Sequence, residues 1–184
     1  MRNRHSIHSS ILLVLTLLLL TSCGKNATQE GLAHVAFNYL KNNNFKGYSK
    51  YLLTTDETLD VLNELEHSKL FKSYSKQKKQ RYFTVRQNIK SHVSRLHKKL
   101  EKNFRNILAE GIKKGVDWKK TKFVKIKIGP EDQVYDLGSV PSQHIYIVFK
   151  QGKKEYMLRL SNNIKTRRGW VIVDGLNWEE PDDE

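Results

Sequence analysis

Residues 82–107, YFTVRQNIKSHVSRLHKKLEKNFRNI, decide the fold. Tyr82, Val85, Ile89, Val93, Leu96, Leu100, Phe104 and Ile107 follow one another at steps of three or four. That pattern closes every eleven residues, near 3.67 per turn, and keeps the stripe on one face of an almost straight helix. No Pro or Gly interrupts residues 74–110. A helix over about 75–113 would be roughly 55–60 Å long, well beyond an ordinary globular helix. Two arrangements fit: one rod lying against a sheet, or two helices broken near residues 74–82. The unbroken stripe favours the rod, with its first turns projecting beyond the core.

Upstream of this stretch the pattern stays helical. Leu32, Val35, Ala36, Tyr39 and Leu40 share a stripe over about 29–42, with Thr28 as N-cap and Asn42-Asn43-Asn44 as the stop. Phe45, Tyr48, Tyr51 and Leu52 fit a short turn of helix. Thr55 before Asp56 and Glu57 reads as a cap with acids in the first turn, where they suit the helix dipole, and Leu59, Leu62 and Leu65 carry that helix to about His67.

Downstream of Gly115 the period becomes two. Val124, Ile126 and Ile128 alternate with Lys125 and Lys127 up to Gly129-Pro130, a half-exposed strand. Residues 133–137 read as a short edge strand, and residues 144–149, apolar on both faces, as a central one. A turn at Gln151-Gly152 leads into a strand with Tyr156, Leu158 and Leu160 on one face, and Trp170 to Val173 reads as the last strand. Helices first and a meandering antiparallel sheet afterwards is an α+β domain, spanning residues 29–178. Residues 179–184 form an acidic tail.

The N-terminus carries an address. Arg2 and Arg4 precede residues 11–20, ten residues with one hydroxyl and no charge. As a helix they span about 15 Å of a roughly 30 Å hydrocarbon core, which makes residues 1–22 a signal peptide rather than a membrane span. Leu20, Thr21 and Ser22 lead into Cys23, the chain's one cysteine. These four residues resemble the bacterial lipobox. The resemblance implies diacylglycerol on the Cys23 sulfur, cleavage before Cys23 after recognition of Leu20, Thr21 and Ser22, and a palmitate-bearing lipoprotein of the cell envelope. Gly24 in the next position implies an outer-membrane destination where the source has one. Residues 23–28 then serve as a polar tether. With Cys23 acylated, the mature chain has no disulfide, and the covalent lipid is the one prosthetic group expected.

A second resemblance covers roughly residues 29–178. The order of helices and strands, ending in Gly169-Trp170 and Asp174-Gly175-Leu176, looks like small extracytoplasmic lipoproteins of the nuclear-transport-factor-two-like (cystatin-like) superfamily. It implies a cone-like fold whose bent sheet encloses a cavity, with Trp118, Tyr146, Tyr156 and Trp170, and Trp178 beside them, available to line it. Some relatives move protons with an Asp and a Tyr or His; Asp174, Asp136, His144 and Tyr146 are the candidates here, at a spacing that does not require them to meet.

Charge gives the other candidate site. The chain's formal net charge is +14, and residues 69–127 alone hold 20 Lys/Arg against 3 Asp/Glu. Lys90, Arg95, Lys98, Lys99, Lys102 and Arg105 avoid the apolar stripe and form a candidate anion-binding face for lipid phosphates or an acidic protein. A solvated helix face accounts for the same lysines. Nucleic acid is disfavoured, because the signal removes the chain from the cytoplasm and no recognition motif accompanies the charge. No metal-ligand spacing, phosphate loop or nucleophile elbow is present, so neither a metal nor an enzymatic reaction is expected. The reading is a lipid-anchored envelope protein that binds an anionic surface or an acidic partner. An apolar-ligand carrier is the alternative, and a cone-fold enzyme a third.

Overall fold

The computed structural model describes residues 24–134 and 140–180. The lipobox residues Leu20, Thr21, Ser22 and Cys23, the candidate Asp136, and the last four residues of the acidic tail lie outside them. Among the described residues, six helices precede a five-stranded antiparallel sheet. They are α1 (Gln29–Lys41), α2 (Phe45–Tyr48), α3 (Thr55–Glu66), α4 (Lys69–Lys72), α5 (Lys76–Gln87) and α6 (Ile89–Lys113), with one 3₁₀ turn after α2 (Ser49–Tyr51) and another after α6 (Trp118–Lys120). The strands are β1 (Lys122–Val134), β2 (Val140–Gln151), β3 (Lys154–Thr166), β4 (Gly169–Ile172) and β5 (Leu176–Glu179). The α+β class and the long helix are as the sequence pattern requires.

Start signals match their chemistry. Thr28 caps α1 by accepting the Gly31 N–H. The cap of α3 is Thr54, one residue earlier than the acidic pair suggests. Glu57 stands three positions after Thr54, so Thr54 and Glu57 close a reciprocal capping box that Thr55 could not form. At the end of α6, Gly115 takes φ +81°, its N–H reaches the Ile112 carbonyl at 3.0 Å, and the Val116 N–H reaches that of Gly111 at 2.8 Å. This Schellman closure needs a residue without Cβ at the left-handed position.

The single rod is not what forms. The helix breaks at Asn88, beyond the 74–82 window of the two-helix arrangement, and α6 carries 25 of the residues. The Asn88 side chain donates to the Thr84 carbonyl at 3.0 Å, and its backbone N–H is shared between Thr84 and Val85. A short amide side chain that captures a helical carbonyl competes with the ladder, which is why Asn punctuates helices. Nor does the first segment project into solvent. Tyr82 and Val85 of α5 are buried against Leu62, Leu65 and Phe71 from α3 and α4. The Tyr82 hydroxyl donates to Glu66 at 2.7 Å and accepts from Arg86 at 2.9 Å. Burial and the Glu66 bond push that phenol up to about 12.

In the sheet, β2 lies between β1 and β3, and the far edge of β3 is shared by β5 along Met157–Leu160 and β4 along Asn163–Thr166. Trp170 to Val173 therefore does not end the sheet. The chain turns at Asp174-Gly175 and returns as β5, too short for alternation to announce it. The first strand also runs through Gly129-Pro130 rather than ending there, because a register shift between Ile128 and Glu131 absorbs the proline. A second shift at Val124 places Phe123 opposite Phe149 and Ile126 opposite Ile147, all on the helix side, and leaves Val124 exposed. The alternation of Val124 with Ile126 thus does not describe one buried face.

Segment 24–28 is no free tether. Asn26 is 4% exposed; its carbonyl accepts the Trp170 N–H at 2.8 Å, and its side-chain amide donates to the Trp170 carbonyl at 2.7 Å. A Cβ at Gly169, which has φ +114°, would stand 2.5 Å from the Asn26 carbonyl oxygen, so this docking requires glycine there.

Candidate functional site

The segment joining α2 to α3 is pinned to the sheet: Leu52 bridges Ile172, and the Leu53 N–H donates to the Ile172 carbonyl at 3.0 Å. The α6 helix passes alongside. Between them runs an open groove of about 490 Å³. Its apolar part comes from Phe45, Leu52 and Val93, its hydroxyls from Ser49, Thr54, Thr55 and Ser94, and its ionisable groups from Lys90, His97, Lys98 and Glu101. His97 is fixed through Nε2, 2.8 Å from the Leu53 carbonyl. A carbonyl only accepts, so Nε2 carries the proton and Nδ1 remains the ring's second hydrogen-bonding atom. Glu101, the groove's one carboxylate, is held by Arg105 at 2.7 Å. Among the described residues no carboxylate lies within ion-pair distance of Lys90 or Lys98. The result is a cationic rim over an apolar floor.

The six residues of the candidate anion-binding face all lie on α6 and are exposed. They do not act as one patch. At about 100° per residue they fan over about half the circumference of the helix. Lys90 and Lys98 border the groove. Arg105 serves Glu101, and Lys99 turns to Asp174 at 3.2 Å on the other flank. Arg95 and Lys102 stand in solvent without a carboxylate partner among the described residues.

The four aromatic residues assigned to a cone cavity do not come together around one. Trp118 and Tyr156 are buried on either side of Phe149, with ring centroids 5.7 and 5.4 Å from it, and Trp178 closes the cluster at 5.9 Å from Trp118. These rings fill the core by packing on each other, as aromatic clusters do. Tyr146 is three positions from Phe149 and so points to the opposite face of β2. Trp170 sits at the far end, where it holds Asn26.

The proton-transfer candidates are engaged separately. Asp174 pairs with Lys99 and accepts the Gly175 N–H at 2.8 Å. His144 accepts the Asn162 N–H on Nδ1 at 3.2 Å and faces Asp132 through Nε2 at 3.4 Å. Asn162 also reaches Asp174 at 3.4 Å and so links the two, at a kink where its own φ is +50°. Nearby, burial and the Asp174 charge push the Tyr48 phenol well above its ordinary range. Among the described residues, no group of three His, Cys, Asp or Glu side chains is placed to hold a metal ion, and no helix is long and apolar enough to cross a membrane.

Sequence reasoning missed the groove but held a signal for it. Lys90, Ser94, His97 and Glu101 follow at steps of four, three and four, a polar stripe beside the apolar one. What it could not supply is the opposite wall from residues 45–55. No protein-family model, curated protein or solved structure matches the chain.

Proposed function

We propose that this protein is a lipid-anchored envelope protein that binds anionic ligands, acidic protein segments foremost, in the groove between α6 and residues 45–55. The observation that carries the binding reading is the pair of lysines at the groove's rim, Lys90 and Lys98, which lack a carboxylate partner among the described residues while Glu101 in the same lining is paired with Arg105. An acidic side chain would pair with the lysines, backbone groups with Ser94 and Thr55, and an apolar side chain would cover Phe45, Leu52 and Val93. The anchor rests on Leu20-Thr21-Ser22-Cys23 behind its apolar run. The helices-then-sheet order and the Gly169-Trp170 ending support kinship with the nuclear-transport-factor-two-like lipoproteins. That kinship would place the chain outside the cytoplasm, in the outer membrane where one exists.

The test is equilibrium binding of a Glu-rich peptide containing one Leu or Phe. Affinity should fall steeply as salt rises and drop about 25-fold in a Lys90→Glu, Lys98→Glu double variant, at roughly fivefold per cation. Binding that ignores both salt and these substitutions would refute the groove as the site.

A further inference from the structure

The start of the folded domain fixes which side of it meets the membrane. Asn26 is held by two hydrogen bonds to Trp170, and the Ala27 N–H closes a turn onto the Gly24 carbonyl at 2.8 Å. A Cβ at Gly24 would stand 3.8 Å from the Arg168 carbonyl oxygen. Consecutive Cα atoms are about 3.8 Å apart, so an acyl anchor on Cys23 would join the chain one residue from Gly24, beside the β3–β4 hairpin.

That hairpin and its neighbours are basic. Lys25 follows Gly24 directly, Lys165 is the cross-strand partner of Trp170, and the Arg167 side chain at the turn is 82% exposed. Lys50 joins them because its carbonyl accepts from Arg168. Arg168 itself is spent on Glu57, through paired bonds of 2.9 and 2.8 Å. Asp60 stands 3.9 Å from Arg167, at the limit of an ion pair. Trp170, half-buried beside Lys165, is the residue type that favours a headgroup layer.

We propose that the face made by Lys25, Lys50, Lys165 and Arg167 rests on anionic phospholipid headgroups of the bilayer that holds Cys23. This rests on the lipid-anchor reading above, and it gives the molecule two basic surfaces with separate tasks: the hairpin face for the membrane, the α6 groove for a partner.

The test uses the acylated mature product in vesicles of phosphatidylglycerol and phosphatidylcholine carrying a headgroup quencher. With Cys23 blocked by lipid, Arg167→Cys or Lys153→Cys supplies the one free thiol for a fluorescent label. Lys153 lies in the turn at the other end of β3, a 13-residue strand that spans roughly 40 Å. The label at 167 should be quenched in anionic vesicles and the label at 153 should not. Adding Lys50→Glu and Lys165→Glu should lower the ratio of quenched to unquenched label at 167 about 25-fold at fixed phosphatidylglycerol content, at roughly fivefold per cation. Quenching at 153 rather than 167, or equal quenching at 167 in neutral vesicles, overturns the proposed orientation while leaving the anchor intact. An intact mass without added lipid overturns the anchor and this inference together.

Discussion

Two regions of the molecule hold most of its interest, and they are built oppositely. Around Phe149, four large rings from the α6–β1 connection, β2, β3 and β5 close on one another. Beside α6, short hydroxyl side chains and long cations border an open groove. Trp118, Tyr156 and Trp178 looked like pocket walls in the sequence and became filler. The gap formed where side chains are too short or too charged to close a seam. A binding site is therefore better sought where apolar volume is lacking beside a rigid helix than where it is abundant.

The contrast can be broken or sharpened by substitution. The largest effect is expected at Phe149→Ala, which empties the ring cluster and should cost about 3–5 kcal/mol in urea unfolding. A loss below 1 kcal/mol would mean that the rings are loosely packed and that a cavity exists after all. Next is Arg168→Ala. This guanidinium binds Glu57 twice and also the Leu52 carbonyl, so it ties the hairpin to the groove wall. Its side chain is 38% exposed, which screens the charge, so about 1–2 kcal/mol is expected, with Arg168→Lys recovering less than half.

Glu57 makes the same tie visible in pH. Partial burial pushes its carboxyl up, but bonds from Arg168, the Thr54 amide and the Thr166 and Thr54 hydroxyls outweigh that and hold it below the usual range. Its folded pKa is depressed, so its contribution is complete above the unfolded value of about 4.3 and is lost as pH falls through the folded one. Unfolding free energy from pH 6 to pH 3 should fall less in Glu57→Gln than in the native chain. Equal slopes would remove Glu57 from the account.

The smallest effects distinguish the two regions most cleanly. Lys98→Ala should leave stability within about 0.5 kcal/mol, as for a solvated residue. In the ring cluster, the buried Trp178 Nε1 has no hydrogen-bond partner among the described residues. Trp178→Phe removes that unpaired donor as well as ring volume, so its cost should stay well below that of Phe149→Ala.

Much of the architecture was legible because it follows from periodicity. The stripe from Tyr82 to Ile107 named the buried face of α5 and α6 through a break it did not reveal, since a four-residue step from Val85 to Ile89 preserves phase whether or not the ladder is continuous. The central strand and the Gly152 turn were equally plain. The bulge at Val124 was not, because an inserted residue shifts the alternation without changing composition. Nor was β5, whose four residues are too few for a period. Of the site, the lysines were visible and their allocation was not. Lys99 and Lys98 are neighbours in sequence, yet one is bound to Asp174 and the other borders the groove, a difference set by the turn after β4.

The most direct measurement is a two-dimensional NMR titration of the soluble domain with a Glu-rich peptide at low and high salt. Amide and imidazole shifts should concentrate at Ser94, His97, Lys98 and Thr54, shrink as salt rises, and vanish in the Lys90→Glu, Lys98→Glu variant. Shifts scattered over all exposed lysines, or centred away from residues 45–55 and 90–101, would contradict a built anion site and leave those lysines as ordinary solvated charge.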